Sequence, residues 1–237
     1  MRAAPLRWHD TLPSTVDEAH RWAAAGAPHG AGVAARSQTA GRGTRGRAWA
    51  SPPGGLWMSV IVRPPAAALE VLSVKIGLRL AEALDRLLVA PASIALKWPN
   101  DLLIAGRKVA GILCEARWQG DRLGWVVASV GLNVRNPVPS GLEDRATRLA
   151  DHGFAAGPES LADPLRTAIL TAAAGAGGLD AAELADFTAR DWLRGRALAD
   201  PAQAVALGIT PSGKLRLRRP DGSVGETLGP IRVAGEE

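Results

Sequence analysis

Between Ile94 and Val134 four β-type runs follow one another closely: a short run into Lys97, then Leu102–Ile104, Val109–Ala116 and Gly124–Val134. The connections AGRK and QGDRLG are polar and glycine-bearing. Strands joined by turns this short pair antiparallel, because a parallel return needs a crossover of about a dozen residues or more. A sheet built from successive hairpins is therefore the element around which the rest of the chain must pack. The chain has 237 residues, 47% hydrophobic and 22% charged, the balance of a globular protein able to bury a full core. One large domain, or one domain with a small appendage, fits that length.

Other elements fall around this centre. Ser14 and Thr15 each stand three residues before an acid, Asp17 and Glu18, and DEAHRWAAAG then runs to Gly26, the pattern of a capped helix. Residues 31–38 and 56–62 predict strands, Leu69 to Val89 the longest helix, and 159–174 and 181–193 two more. From residue 197 the texture changes to short strands around GIT, KLRLRR and SVGETL, separated by PSG and PDG turns. This divides the chain into a main domain, 1–196, and a small barrel-like β appendage, 197–237, too short to hold much core alone.

Charge and cysteine exclude several classes. A single cysteine, Cys114, rules out an intramolecular disulfide framework and a thiolate metal site, in keeping with a reducing cytoplasm. No segment reaches the roughly 18 apolar residues of a membrane span, and the N-terminus lacks the apolar run of an export signal. The net charge of +5 is made with 24 Arg against four Lys, so overall basicity is a weak argument for nucleic acid. Its distribution says more. No acidic residue lies between Glu18 and Glu70, whereas Arg21, Arg36, Arg42, Arg45, Arg47 and Arg63 do, so an anionic ligand is expected there. The four histidines show no ligand spacing.

Two constellations carry chemistry. Gly41–Gly46 matches G-x-G-x-x-G letter for letter, but RAWASPPGG follows and cannot be the helix a dinucleotide site needs; nor does Lys-Ser/Thr follow as in a Walker A loop. What remains is a long glycine loop presenting Arg42, Arg45 and Arg47. It reads either as a cradle for phosphate or carboxylate or as a solvated connection. The second is Lys97-Trp98-Pro99-Asn100-Asp101 with Lys108 downstream, so that two of the four lysines bracket one hairpin. An ammonium there suits a reacting phosphate or carboxylate, while turn chemistry is the other reading of Asn100-Asp101.

GRGTRGRAWASPPGGLWMS, KWPNDLLIAGRKVAGILCE and VGLNV, in this order and spacing, resemble the three conserved blocks of biotin–protein ligases, over about Arg7 to Arg196, with a shortened SH3-like domain behind. The resemblance implies an α/β (α+β) fold with a mixed, largely antiparallel central sheet and flanking helices. It implies a cytoplasmic enzyme that makes biotinyl-AMP from biotin and ATP with Mg²⁺ and transfers biotin to a lysine of a biotin carboxyl carrier protein. For biotin it implies Ser14, Thr15, Gln38, Arg42, Gly43, Thr44, Lys108, Gly111 and Leu113. For ATP it implies Arg45, Arg47, Trp49, Lys97, Asn100 and Asn133. Lys108, Arg42 and Asp101 become the catalytic residues, Asp101 as the group that positions or deprotonates the carrier lysine.

The pattern begins within the first ten residues, so a DNA-binding domain and repressor function are not expected. Relatives often dimerise through a sheet edge or face, so a homodimer is the assembly the resemblance suggests. Two positions depart from the pattern: Val16 replaces an asparagine, and Thr44 an arginine whose loss is expected to speed escape of biotinyl-AMP unless Arg45 compensates. The alternatives are a lipoate or octanoate ligase of the related fold and, in another class, an arginine-rich nucleic-acid-binding module.

Overall fold

The computed structural model describes residues 4–88, 93–175 and 177–235. Seven strands form the main sheet: β1 (Leu6–Leu12), β2 (Gly32–Gln38), β3 (Leu56–Val62), β4 (Ala95–Lys97), β5 (Asp101–Ile104), β6 (Arg107–Gln119) and β7 (Arg122–Leu132). Their order is β1-β2-β3-β7-β6-β5-β4, with β1 parallel to β2 and every other neighbour antiparallel. The hairpins expected from Ile94 onward form the β4-β5-β6-β7 half. In this sheet the strand that sequence reasoning missed is β1, an edge strand with an exposed, charged pattern and no apolar alternation. Its parallel partner is reached through helix α1 (Thr15–Ala24), the crossover that parallel pairing requires.

Alternation assigns the two faces of the sheet. Leu56, Met58, Val60 and Val62 of β3, with Val126, Ala128, Val130 and Leu132 of β7, enter the main core. Helices α2 (Leu72–Asp85), α3 (Glu159–Ala173) and α4 (Ala181–Arg190) supply Leu78, Leu165 and Phe187 to that core. The opposite face carries Val33, Ile61 and Val127, covered by Val16, Ala19 and Ala23 of α1. Val16 is therefore a core residue, 3% exposed, whatever stands there in relatives. The helix expected from Leu69 begins instead as a 3₁₀ segment, Ala66–Val71, and its expected end, Val89, lies outside the described residues.

The C-terminal strands β8 (Leu198–Asp200), β9 (Val205–Ile209), β10 (Leu215–Arg218), β11 (Val224–Thr227) and β12 (Arg232–Val233) form two small sheets, β11-β10-β9 and β12-β8. They pack against the main domain: Leu198, Ala206, Leu215 and Leu217 belong to the main core. The buried Trp98 indole donates from Nε1 to the Gly213 carbonyl in the β9–β10 turn, at 2.8 Å.

Candidate active site

The α1 face of the sheet carries two cross-strand rows of side chains. One row runs Ala35, Trp57, Gly131, Gly111, Asp101, Lys97 across six strands. The next runs Val33, Ser59, Ser129, Leu113. The two paired glycines leave a flat window, and the Trp49 indole lies on it. A Cβ built at Gly131 would stand 2.7 Å from Trp49 Cε2 and Nε1, and one at Gly111 would stand 3.0 Å from Cζ3. Bare backbone is what lets an indole approach the strands this closely.

Lys108 reaches this face because of a β-bulge. The β5–β6 register shifts between Leu102 and Leu103, and Val109 and Ala110 are both fully buried in the main core. Two consecutive core-facing residues turn Lys108 onto the same side as Gly111, the re-aiming that bulges provide. Its ammonium lies 2.6 Å from Asp101 Oδ1 and 4.9 Å from the centre of a Trp49 ring. The ladder-like clamp of residues 145–147 fixes its backbone: Lys108 N–H donates to Arg145 O and Lys108 O accepts from Thr147 N–H, at 2.8 and 2.9 Å.

A hydrogen-bonded chain joins the second row to the glycine loop. Gln38 Oε1 accepts from Thr15 N–H at 2.8 Å and from the Thr15 hydroxyl at 3.1 Å. Ser59 Oγ donates to Thr15 Oγ1 at 2.8 Å, so the 2.8 Å contact between Ser129 and Ser59 must be donated by Ser129. On its other side Gln38 Nε2 donates to Ser51 Oγ, which donates to Trp49 O. Ser14, 1% exposed, is the N-cap of α1, accepting from Val16 N–H as the capped-helix reading anticipates.

The remaining predicted residues disperse around this centre. The Arg42 guanidinium is bound to Asp17 Oδ1 at 2.8 Å and to Glu115 Oε1 at 3.3 Å. Gly43, Thr44, Arg45 and Arg47 form the loop tip, where Gly43 N–H donates to Arg47 O, Arg45 takes a left-handed φ of 60° and Arg47 Nη2 donates to the Thr44 hydroxyl. Lys97 lies 4.9 Å from a Trp192 ring centre, and Asn100 Nδ2 donates to Ile112 O. Asn133 is buried, its Nδ2 donating to Thr147 O and its Oδ1 accepting from Asn136. Its amide thus ties down the segment that clamps Lys108.

Sequence reasoning missed Ser59, Ser129, Gly131 and Trp192. Glycines in strand interiors were the available signal for the window, since they mark close approach of another group. Close by, His20 accepts from Trp125 Nε1–H at Nδ1, which leaves its proton on Nε2, 3.3 Å from Glu115 Oε2. Burial, helped by the Arg117 charge, lowers the pKa of this imidazole.

The biotin/lipoate A/B protein ligase family matches residues 10–133, which span the loop, the bulge and the glycine window. The chain belongs to this family. The biotin–[acetyl-CoA-carboxylase] ligase of Paracoccus denitrificans is 35% identical over 207 residues, covering 80% of this chain and 85% of that protein. The bifunctional ligase/repressor BirA of Bacillus subtilis is 40% identical over 151 residues, 61% of this chain; there the match spans only 46% of the relative's length. In three dimensions the chain resembles the biotin protein ligase of Aquifex aeolicus solved with biotin and ATP. The TM-score is 0.80 and the identity 23%, over 97% of this chain and 99% of that one, which establishes the shared fold.

Proposed function

We propose that the protein is a biotin–protein ligase acting on a carrier-protein lysine through biotinyl-5′-AMP. The observation that carries the reading is the bulge-aimed Lys108, paired with Asp101 over the glycine window and beneath Trp49. The indole, a flat ring resting on bare glycine backbone, marks the place where the bicyclic ring and aliphatic tail of biotin would lie once Trp49 swings off it. Gln38 supports the ureido end: both protein donors at its Oε1 come from Thr15, and its amide group has a second N–H beyond the one given to Ser51.

In the first step the biotin carboxylate attacks the α-phosphorus of ATP, a P–O bond forms, and pyrophosphate leaves. Two anions must meet, so an ammonium fixed between them lowers the barrier electrostatically. Lys108 takes that role, its strand held by the 145–147 clamp through Asn133. Arg45 and Arg47, exposed at the loop tip, are placed to meet the triphosphate. Asn100 holds the β4–β5 turn to β6, and Lys97, on the same row as Asp101, adds charge at the nucleotide side. In the second step the carrier lysine amine attacks the anhydride carbonyl, and AMP departs. Asp101 is the carboxylate at the reacting edge that orients the amine and accepts its proton. The closed loop keeps water from the anhydride.

Among the described residues no group of three or more His, Cys, Asp or Glu is placed to hold a metal ion. Those residues thus offer no preformed cage, and Mg²⁺ belongs to this reading as the ion bound to the triphosphate.

The test is biotin-dependent exchange of pyrophosphate into ATP, run beside lipoate and octanoate. Exchange with biotin alone is the expected result. Exchange with lipoate or octanoate instead transfers the chain to the other branch of its family, and a folded protein active with none of the three refutes adenylation.

A further inference from the structure

We propose that Asp17 and Glu115 are positioning residues: together they grip Arg42 and so hold the glycine–arginine loop down over the sheet. The inference rests on the ligase reading only for what the loop encloses, the acyl-adenylate.

The loop's attachments motivate it. At its base, Thr39 and Ala40 N–H donate to Leu12 O and Pro13 O, and Gln38 N–H donates to Ser51 O. Farther out the bonds turn inward: Trp49 N–H to Gly41 O, Gly43 N–H to Arg47 O, and Arg47 to Thr44. Among the described residues, 43–48 make no hydrogen bond outside the loop. Beyond the base, where the Ser51 hydroxyl links Gln38 to Trp49 O, two side chains tie the outer loop to the body, Trp49 on the glycine window and Arg42 on two carboxylates from different elements, α1 and β6.

The carboxylates are arranged differently. Glu115 is the more enclosed, with 22% side-chain exposure against 51% for Asp17. His20 Nε2–H points at its Oε2, and that proton's place is fixed because Trp125 occupies Nδ1. Arg117 Nη2 lies 3.7 Å from the same oxygen. Glu115 is thus an oriented anchor, and Asp17, 2.8 Å from Arg42 Nη2, is the outer finger. An anion that claimed Arg42 would have to compete with both, which makes the grip adjustable rather than permanent. Exposed ion pairs of this kind shift an equilibrium by up to about fivefold each.

Trypsin provides a readout independent of turnover, because Arg45 and Arg47 are exposed at the loop tip. Asp17→Asn and Glu115→Gln should each raise the rate of nicking at Arg45 and Arg47 about two- to fivefold, and raise the release rate of biotinyl-AMP by a similar factor. In an Arg42→Ala background neither substitution should add anything, because the gripped group is gone. A purely structural role for the carboxylates would instead add the same increment in both backgrounds. Wild-type nicking and release in both single variants, or equal increments with and without Arg42, overturns the proposal. If the unaltered protein forms no adenylate, the ligase reading fails while the tryptic comparison still decides the grip. If adenylate forms and the substitutions do nothing, the grip fails and the ligase reading stands.

Discussion

Gly131→Ala tests the glycine window most directly. The new methyl would lie 2.7 Å from Trp49 Cε2 and Nε1 and 3.1 Å from Cζ2, where carbon contacts settle at about 3.5–4.0 Å. Strand β7 is paired on both sides and cannot yield, so the indole must retreat by about 1 Å or leave. A tryptophan buries about 150–250 Å² when enclosed. Losing about 100 Å² of that contact at ~25 cal/mol per Å² removes about 2.5 kcal/mol from loop docking. The Lys108 contact adds about 0.5 kcal/mol for an exposed cation over a ring. Full expulsion therefore weakens docking by about 3 kcal/mol, roughly 100-fold, and a 1 Å retreat by about fivefold. The assay is the KM for biotin in pyrophosphate exchange, paired with tryptic nicking at Arg45 and Arg47. Both should rise together, while the urea midpoint moves less because Trp49 lies outside both hydrophobic clusters. A Gly131→Ala protein with the original KM and nicking rate would refute the claim that the indole rests on the window.

Lys108→Ala should abolish pyrophosphate exchange while the protein still unfolds in one cooperative urea transition, at a somewhat lower midpoint because the pair it breaks is part-buried; retained full activity ends its catalytic role. Cys114, half-buried against the core, has a thiol that burial pushes up to about 12, so iodoacetamide at pH 8 should label it far more slowly in the native protein than after denaturation, and equal rates would show an open, ionisable sulfur. Because the pKa of His20 is lowered, its neutral form favours the folded state: that stability is complete above ~6.5 and is lost as pH falls toward the depressed value. His20→Gln should flatten the acid limb of stability against pH, with His29 left as a common background, and an unchanged slope between pH 7 and 5 would exclude the effect. Thr44→Arg should reduce biotin labelling of bystander lysines several-fold if loss of an arginine loosens adenylate retention; equal labelling by the two proteins would show that Arg45 and the Arg42 grip suffice.

Legibility in the sequence followed local physics. The hairpins after Ile94, the cap at Ser14 and the strands flanking the loop are written in adjacent residues, and each appears in place. Strand β1 was hidden because an edge strand paired on one side needs no apolar alternation, and its partner lies a helix away. The bulge was hidden as well: Val109-Ala110 reads as continuous strand, and only the partner register shows that both face the core. That one inserted residue decides where Lys108 points. Ser59 and Ser129 looked like ordinary strand serines until pairing set them side by side. The arginine-rich loop illustrates the reverse problem, because sequence shows cations but not the carboxylates that answer them. Arg42 is held by Asp17 and Glu115 and Arg36 by Glu159, so no bare basic stripe of the kind a nucleic-acid-binding module needs is formed by these residues.

The bond from Trp98 to Gly213 governs where this chain can be cut. A gene shortened to its first 196 codons would keep every residue of the loop, the bulge and the glycine window. It would also leave the indole N–H of a 3%-exposed tryptophan facing solvent or nothing, at about 1–3 kcal/mol for an abandoned buried donor, and would strip Leu198, Leu215 and Leu217 from the core. The tryptophan that loses its partner stands between Lys97 and Asn100, so the damage from trimming the tail would surface in the middle of the β4–β5 hairpin. Anyone building a minimal version, or grafting a new tail onto this one, inherits the β9–β10 turn as part of the scaffold under the β4–β5 hairpin.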